Sequence, residues 1–177
     1  ELVRQESLLP TAMHDGAYRF CPRCGQPLSS ALLFGRERAR CTACGFIHFQ
    51  NPKVAVAVLV TDGPTVLLVK RAVAPQIGFW SLPAGFVDFD ELPAAAAGRE
   101  VEEETGVCIE ITDLLEIFPM PQGGGIVVTY AARPLSNGVP RPGDDVSDAG
   151  WFAPDAIPAD LAFESTRTVL ARWQTTL

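Results

Sequence analysis

Residues 85–107 of the chain are GFVDFDELPAAAAGREVEEETGV, a segment that passes from glycine and aspartate into a dense run of alanine and glutamate. Its second half predicts a helix over residues 92–104, because Pro93 falls in the first turn and Gly106 lies just beyond the last. The residues before it, 78–86, are rich in glycine, proline and aromatic side chains and predict a loop with a short strand. The segment therefore predicts a loop that leads directly into a charged helix.

Three glutamates share one face of this predicted helix. Glu100, Glu103 and Glu104 fall within an arc of roughly 100°, whereas Glu102 lies on the opposite side. Like charges on one face repel each other, and near a helix C-terminus they also oppose the helix dipole. Hard divalent cations such as Mg²⁺ and Mn²⁺ prefer carboxylate oxygens and would offset that repulsion. From the spacing alone, a metal site and a merely solvated acidic face both remain open.

The wider pattern resembles the Nudix box, written Gly-x₅-Glu-x₇-Arg-Glu-Val-x-Glu-Glu-x-Gly-Val, at every defined position from Gly85 to Val107. The resemblance implies an α/β fold, an α/β/α sandwich around a mixed β-sheet, in which the box forms a loop–helix–loop. It also implies a metal-dependent hydrolase of nucleotide derivatives. The implied ligands of catalytic Mg²⁺ or Mn²⁺ are three carboxylates and one backbone group, from Glu100, Glu103, Glu104 and Gly85.

Other roles follow from the same resemblance. Arg99 would orient the carboxylates and Glu91 would brace the loop, although an ordinary ion pair also explains these two residues. Bound metals would neutralise the charge of a diphosphate and lower the pKa of a water molecule. A nearby carboxylate would accept the proton, and both Glu103 and an acid from a downstream loop are candidates.

The downstream acid is expected in the polar segment that precedes Trp151. Zinc-ribbon relatives carry a metal-binding glutamate six residues before the corresponding aromatic residue, and counting back from Trp151 places Asp145 there. Aspartate is shorter than glutamate, so direct ligation and ligation through a bridging water both remain open. Alternatively, Asp144, Asp145 and Asp148 only solvate the loop.

A second motif precedes the box. Cys21-x-x-Cys24 and Cys41-x-x-Cys44 are each followed by glycine, which is typical of the two turns that place four thiolates around Zn²⁺. Four thiolates leave no open coordination position, so the expected role is structural; buried thiols or a redox pair are the alternatives. The module resembles the ribbon found before the Nudix domain in NADH pyrophosphatases.

Three arginines of this module, Arg36, Arg38 and Arg40, alternate along a predicted strand and would share one face. Such a stripe would suit phosphate or RNA, but a solvated strand face explains it more simply.

The chain divides at Asn51-Pro52, since proline biases the residue before it away from helix. We expect a tail at 1–17, a zinc ribbon at 18–50 and a Nudix domain at 51–177. The predicted strands of that domain are 54–60, 66–70, 109–118, 126–132 and 151–152, with a polar loop at 135–147, a turn at 154–157 and a terminal helix at 165–174.

The composition limits the partners. The 177 residues carry a net charge of −7 at pH 7, with a sequence pI near 4.8. Such a chain is a poor non-specific partner for nucleic acid or anionic membranes, although a local basic groove or bound metal would override this. Its longest apolar run, residues 54–60, is far shorter than the roughly 20 residues of a membrane helix. Paired cysteines without a secretory signal favour a reducing, cytoplasmic location.

The substrate is expected to be a nucleotide-derived small molecule. NADH pyrophosphatases carry Ser-Gln-Pro-Trp-Pro-Phe-Pro after the box, and the corresponding Phe118-Pro-Met-Pro-Gln here lacks most of it. This departure favours ADP-ribose, FAD or a related dinucleotide; Pro121 and the segment at 161–165 are weaker signs of the same group. The alternatives are NADH, an oxidised nucleoside triphosphate, and a non-catalytic nucleotide sensor. The resemblance also implies a homodimer.

Overall fold

The structure is a computed structural model that describes residues 18–120, 124–136, 138–143 and 145–176. The chain forms two compact units, Glu1–Asn51 and Pro52–Leu177. The expected tail at 1–17, together with Pro121 and Asp144, lies outside the described residues. Within the described part, no helix is long and apolar enough to cross a membrane.

The first unit is built on a short hairpin of two antiparallel strands, β1 (Ser29–Leu33) and β2 (Arg36–Arg40). Phe34 and Gly35 form the turn, and both have positive φ angles, 52° and 74°. Glycine adopts this left-handed conformation without strain, whereas Phe34 does so at a cost.

The second unit is a seven-stranded mixed sheet with one helix on each face. The strands along its path are ordered β5-β4-β3-β8-β7, while β6 pairs with β3 and β9 pairs with β4. The pairing of β3 with β8 is parallel and the other pairings are antiparallel. The strands are β3 (Lys53–Asp62), β4 (Thr65–Arg71), β5 (Trp80–Ser81), β6 (Ala84–Phe86), β7 (Ile109–Pro119), β8 (Gly125–Pro134) and β9 (Val146–Phe152). The helices are α1 (Pro93–Thr105) and α2 (Glu164–Gln174), with a single 3₁₀ turn at Pro154–Ala156.

Alternation along β3 produces two separate cores. Val56, Val58 and Val60 point to one face of the sheet and pack with Ala97 and Val101 of α1. The side chains between them point to the other face, because successive residues of a strand alternate. There Ala57 and Leu59 pack with three residues of α2, Val169, Leu170 and Trp173. Helix, sheet and helix therefore form the predicted α/β/α sandwich.

Three local predictions are wrong. The predicted loop at 135–147 ends two residues early and the predicted strand at 151–152 is too short, because β9 covers Val146–Phe152 and pairs along β4. At 100° per residue the helix is expected to pack through Ala94, Ala97 and Val101. Ala94 is instead exposed, and Ala96 is buried with Ala97 and Val101. Cys108, the lone cysteine outside the two pairs, is expected to be buried but is exposed. In each case the neighbouring strand or helix, rather than local sequence preference, determines the environment.

Candidate active site

Glu104 is the buried carboxylate of the predicted site. It lies in the last turn of α1 and its residue is only 8% exposed. One carboxylate oxygen accepts a hydrogen bond from the backbone N–H of Ala84, at 3.0 Å. Burial raises the pKa of Glu104 to about 8, the negative charges of Glu100 and Asp145 act in the same direction, and the hydrogen bond from Ala84 and the charge of Arg71 oppose it. The fold thus keeps a carboxylate where its negative charge is poorly solvated.

Glu100 lies against the backbone of Gly85, the first residue of the box. A β-carbon placed on Gly85 would fall 1.9 Å from Cδ of Glu100 and 2.1 Å from both of its carboxylate oxygens. Only glycine permits this approach. Burial raises the pKa of Glu100, while its hydrogen bond with Arg99 opposes the shift.

Arg99 connects the carboxylates of the site. Its guanidinium binds Glu91 through two parallel hydrogen bonds of 2.9 Å, and it donates to Glu100 and Glu103 at 2.9 Å each. A further hydrogen bond of 3.0 Å reaches the carbonyl oxygen of Phe86, at the end of β6. The pKa of Glu91 is lowered chiefly by the hydrogen bond from Arg99. Arg99 therefore joins the box loop to the acidic face of α1.

Glu103 differs from its two neighbours on the helix face in exposure. Its side chain is 58% exposed, compared with 15% for that of Glu100. It is held by the hydrogen bond with Arg99, four residues before it. Of the three glutamates, Glu103 is thus the one best placed to meet solvent and an incoming molecule.

The loop before β9 docks against the C-terminal end of α1. Gly143 donates its backbone N–H to the carbonyl oxygen of Glu104 at 3.0 Å, and Arg141 donates to that of Thr105 at 2.8 Å. A β-carbon on Gly143 would lie 1.9 Å from the carbonyl oxygen of Glu103, so the two backbones are in close contact. Asp145 is exposed and lies near enough to Glu104 to raise its pKa. The structure therefore brings Asp145 to the same end of the helix as the glutamates.

Arg71, at the end of β4, is a residue that the sequence did not single out. Burial lowers the pKa of Arg71, and the charges of Glu104 and Asp145 oppose the shift. Its guanidinium donates to the carbonyl oxygen of Pro75 at 2.7 Å and lies 5.1 Å from the ring centroid of Phe163. No local pattern marks this arginine, because only the pairing of β4 with β9 places it beside the acidic cluster.

The donor set suits a hard divalent cation. Glu104 is a buried carboxylate with one backbone hydrogen-bond donor, and Glu100 and Glu103 supply further oxygens from the same helix face. Carboxylates so arranged are the ligands that Mg²⁺ and Mn²⁺ prefer. In this structure Glu100 and Glu103 are instead paired with Arg99. The ligand atoms of the three glutamates do not gather into one tight cluster.

The four paired cysteines do form such a cluster. Their sulfur atoms all lie within 4.8 Å of one another; the closest pairs are Cys21 with Cys44 at 3.6 Å and Cys24 with Cys41 at 3.5 Å. Each pair closes a similar turn, since Gly25 and Gly45 donate their N–H groups to the carbonyl oxygens of Cys21 and Cys41. Both glycines have positive φ angles, 72° and 76°. The arrangement suits tetrahedral coordination of Zn²⁺ by four thiolates.

Comparison with known families gives two matches. The NUDIX domain family matches residues 51–173, and the Nudix N-terminal family, a zinc ribbon, matches residues 19–50. The chain superposes on a solved structure of a NUDIX hydrolase from Nitrosomonas europaea with a TM-score of 0.83. The two chains are 33% identical in sequence, and the match covers 89% of this chain and 91% of the other.

Curated relatives carry several names. The chain is 34% identical over 153 residues to a protein from Stutzerimonas stutzeri named NAD-capped RNA hydrolase NudC, covering 84% of this chain and 52% of the relative. It is 30% identical to the human mitochondrial NAD(P)H pyrophosphatase NUDT13, covering 90% of this chain and 46% of the relative. It is also 30% identical to an ADP-ribose pyrophosphatase from Methanocaldococcus jannaschii, covering 71% and 77%. The chain spans about half the length of the first two of these relatives.

The box on α1, the sandwich around the mixed sheet and the cysteine-rich module all agree with these comparisons. The chain belongs to the Nudix hydrolase family, with a Nudix zinc ribbon ahead of its NUDIX domain.

Proposed function

We propose that this chain hydrolyses the pyrophosphate bond of a nucleoside diphosphate linked to a second moiety, releasing a mononucleotide. The observation that carries the proposal is the packing of Gly85 against Glu100 beside the buried Glu104. Carboxyl groups that are buried among like-charged neighbours are typical of functional sites, where the cost of their burial serves binding or catalysis. A purely structural helix would place those charges in solvent.

Glu100, Glu103 and Glu104 would hold the divalent cation, with the backbone of Gly85 and the carboxylate of Asp145 completing the site. Such a cation neutralises the charge of the diphosphate and lowers the pKa of a bound water molecule. Side chains of the protein hold these ligands in position. Arg99 keeps two of the carboxylates in place.

The reaction forms a bond from a water oxygen to phosphorus and breaks the bond from that phosphorus to the bridging oxygen. The leaving phosphate keeps the bridging oxygen, and the water proton passes to a carboxylate. Glu103, on the same helix face as Glu100 and Glu104, and Asp145, in the loop before β9, are both exposed and are the proposed acceptors. Arg71 lies beside Glu104 and Asp145 and supplies positive charge for the phosphates.

The names of the curated relatives bear on the choice of substrate. The sequence favoured ADP-ribose or FAD because the NADH-type stretch after the box is missing. The names of the relatives support the NADH alternative better, since NAD-capped RNA hydrolases and an NAD(P)H pyrophosphatase outnumber the ADP-ribose pyrophosphatase. Some of these names refer to capped RNA, which supports a nucleic-acid partner even though the net charge is unfavourable for one. We therefore propose NADH-type dinucleotides first and ADP-ribose second.

A chromatographic turnover panel tests the proposal. ADP-ribose, FAD, NADH, NAD and a nucleoside triphosphate are each incubated with the chain and Mg²⁺ or Mn²⁺, with Glu104→Gln as the blank. AMP released from a dinucleotide by the parent and not by the blank supports the proposal and ranks the substrates. Faster turnover of the triphosphate would instead favour a triphosphate hydrolase. Tight binding of a dinucleotide without any turnover would overturn hydrolysis in favour of a sensor.

In the first unit, Cys21, Cys24, Cys41 and Cys44 are proposed to hold one structural Zn²⁺. Four thiolates would complete its coordination, so this metal would take no part in hydrolysis.

A further inference from the structure

Positive charge is concentrated in the zinc ribbon. Residues 18–51 carry five arginines and a single acidic side chain, Glu37, whereas residues 52–177 carry eight basic and seventeen acidic side chains. A zinc ion bound by four thiolates contributes about two negative charges. The ribbon stays positive even so, although the chain as a whole is acidic.

Within the ribbon, the three arginines of β2 lie on one face of the strand. Arg36, Arg38 and Arg40 alternate along β2, and Glu37 between them points to the opposite face, where its partner on β1 is Leu32. Three such positions span about 13 Å along a strand. The ion pairs among the described residues involve none of these arginines. The face therefore presents a row of guanidinium groups without a described counter-charge.

Two exposed aromatic rings accompany this row. Phe34 and Phe49 are 77% and 53% exposed, and their rings lie 6.1 Å apart with an interplanar angle of 27°. The guanidinium of Arg38 lies 5.8 Å from the ring centroid of Phe34 and 5.2 Å from that of Phe49. Arg38 also donates to the carbonyl oxygen of Leu33, which fixes its orientation. The two rings and the Arg38 guanidinium therefore form one cluster on the surface of the ribbon.

We infer that this basic–aromatic face, formed by Phe34, Arg36, Arg38, Arg40 and Phe49, binds single-stranded nucleic acid. Exposed guanidinium groups attract phosphates, and exposed phenylalanine rings stack with unpaired bases. In a duplex the bases are stacked on one another and cannot reach the rings. An acidic protein segment would satisfy the arginines but would leave the rings without planar partners. The inference goes beyond the proposed hydrolysis and does not depend on it.

The test measures binding to the full-length, zinc-loaded chain without added Mg²⁺ or Mn²⁺. A fluorescently labelled 20-nucleotide RNA of mixed unstructured sequence, without a 5′ cap, is titrated by anisotropy at several salt concentrations. The corresponding DNA strand and the RNA duplex are titrated in parallel. The uncapped end keeps the readout separate from the hydrolytic site, so a failure here leaves the turnover panel unaffected.

Matched variants assign the binding to the face. Arg36→Gln/Arg40→Gln removes two exposed charges from the ribbon, and Arg133→Gln/Arg172→Gln removes two exposed charges from the second unit. Both ribbon residues are exposed, so the fold and the zinc content should be preserved. Arg36→Lys/Arg40→Lys restores the charge, and Phe34→Leu/Phe49→Leu removes the rings.

We expect the ribbon glutamine pair to weaken single-strand binding about tenfold and to reduce the salt slope by about 1.4, the value for two lost phosphate contacts. The lysine pair should recover most of the affinity. The leucine pair should reduce the preference for single strands over duplex, because base stacking contributes on the order of 1–3 kcal/mol. The control pair should stay within about twofold of the parent, since phosphate contacts act locally.

Three results would overturn the inference. The first is an equal loss of affinity in the control pair, and the second is no binding by the parent at low salt. The third is self-association of the chain that the ribbon variants abolish while single-strand binding is unchanged, which would make the face a protein interface.

Discussion

The backbone of Gly85 and the carboxylate of Glu100 are in direct contact: a β-carbon on Gly85 would fall 1.9 Å from Cδ of Glu100. Two positions separated by fifteen residues in sequence thus depend on each other for space. Because the glycine has no side chain, the carboxylate reaches the loop backbone at the position where the box motif requires both residues.

Substitution of this glycine should abolish activity. Gly85→Ala is expected to displace the Glu100 carboxylate and to lower kcat/KM for the best dinucleotide at least about 100-fold, because small displacements of positioning groups have effects of this size. Gly98→Ala is the matched control, since a β-carbon there meets nothing within 4 Å. This control should keep full activity and gain about 0.5–1 kcal/mol from its helical position. Equal activity of the two variants would contradict the role of the contact.

The buried charge of Glu104 should make the metal-free protein less stable as the pH rises. Its folded-state pKa of about 8 exceeds the ordinary value of 4.5, so the folded state retains a proton that the unfolded state releases. The stabilising effect of that proton is complete below pH 4.5 and is lost as the pH rises through 8. Glu104→Gln remains neutral throughout and should exceed the parent in stability at pH 8 by on the order of a few kcal/mol.

Urea unfolding followed by tryptophan fluorescence measures this difference, because Trp80, Trp151 and Trp173 all lie in the second unit. The experiment is run without added Mg²⁺ or Mn²⁺ at several pH values. The advantage of the glutamine variant should disappear near pH 4.5. A variant no more stable than the parent at pH 8 would show that the Glu104 charge is not costly.

Loss of the Arg99 guanidinium should destabilise the second unit. Arg99→Gln removes charged hydrogen bonds to Glu91, Glu100 and Glu103, and a loss of about 2 kcal/mol or more is expected. Arg167→Gln removes one exposed ion pair with Glu164 and should cost at most about 1 kcal/mol. Tryptophan-monitored unfolding compares the two variants. If the two variants lost similar free energies of unfolding, the contacts of Arg99 would be worth no more than an ordinary surface ion pair.

Asp145, in the loop before β9, and Asp148, within β9, provide a matched pair for testing that loop. The charge of Asp145 acts on Glu104 and Arg71, whereas Asp148 accepts a hydrogen bond from the backbone N–H of Ala149 at 2.9 Å. Asp145→Asn should lower kcat about tenfold or more, in the range of an acid–base group. Asp148→Asn should leave kcat unchanged. If both variants retain the parent rate, the loop only solvates this end of the sheet.

The cysteine cluster should lose its metal without loss of the main sheet. Cys41→Ser should reduce bound zinc from one equivalent per chain to nearly none, because three thiolates hold the ion far less tightly than four. Cys108→Ser, at an exposed cysteine outside the cluster, should retain zinc. Tryptophan-monitored unfolding should be unchanged in both, since the two cores contain only residues from the second unit. Full zinc content in Cys41→Ser would contradict the assignment.

The sequence alone was sufficient for those features that depend on local periodicity and spacing. The helix that carries the three glutamates, the apolar run of β3 and the two cysteine turns are each encoded within a few neighbouring residues, and the structure confirms them. The box motif was specific enough to imply the sandwich and the family. These features needed no knowledge of distant contacts.

Other features were set by the tertiary structure. The pairing of β4 with β9 places Arg71 and Asp145 near Glu104, and it makes a strand of a segment with little intrinsic preference for one. The docking of the loop at Gly85 buries the carboxylates and thereby raises their pKa values. Charge burial and close backbone approach arise between residues far apart in sequence, so spacing along the chain cannot reveal them. The carboxylates and cysteines of the two sites could therefore be identified from the sequence. Their exposure to solvent and the charged groups around them were decided by the fold.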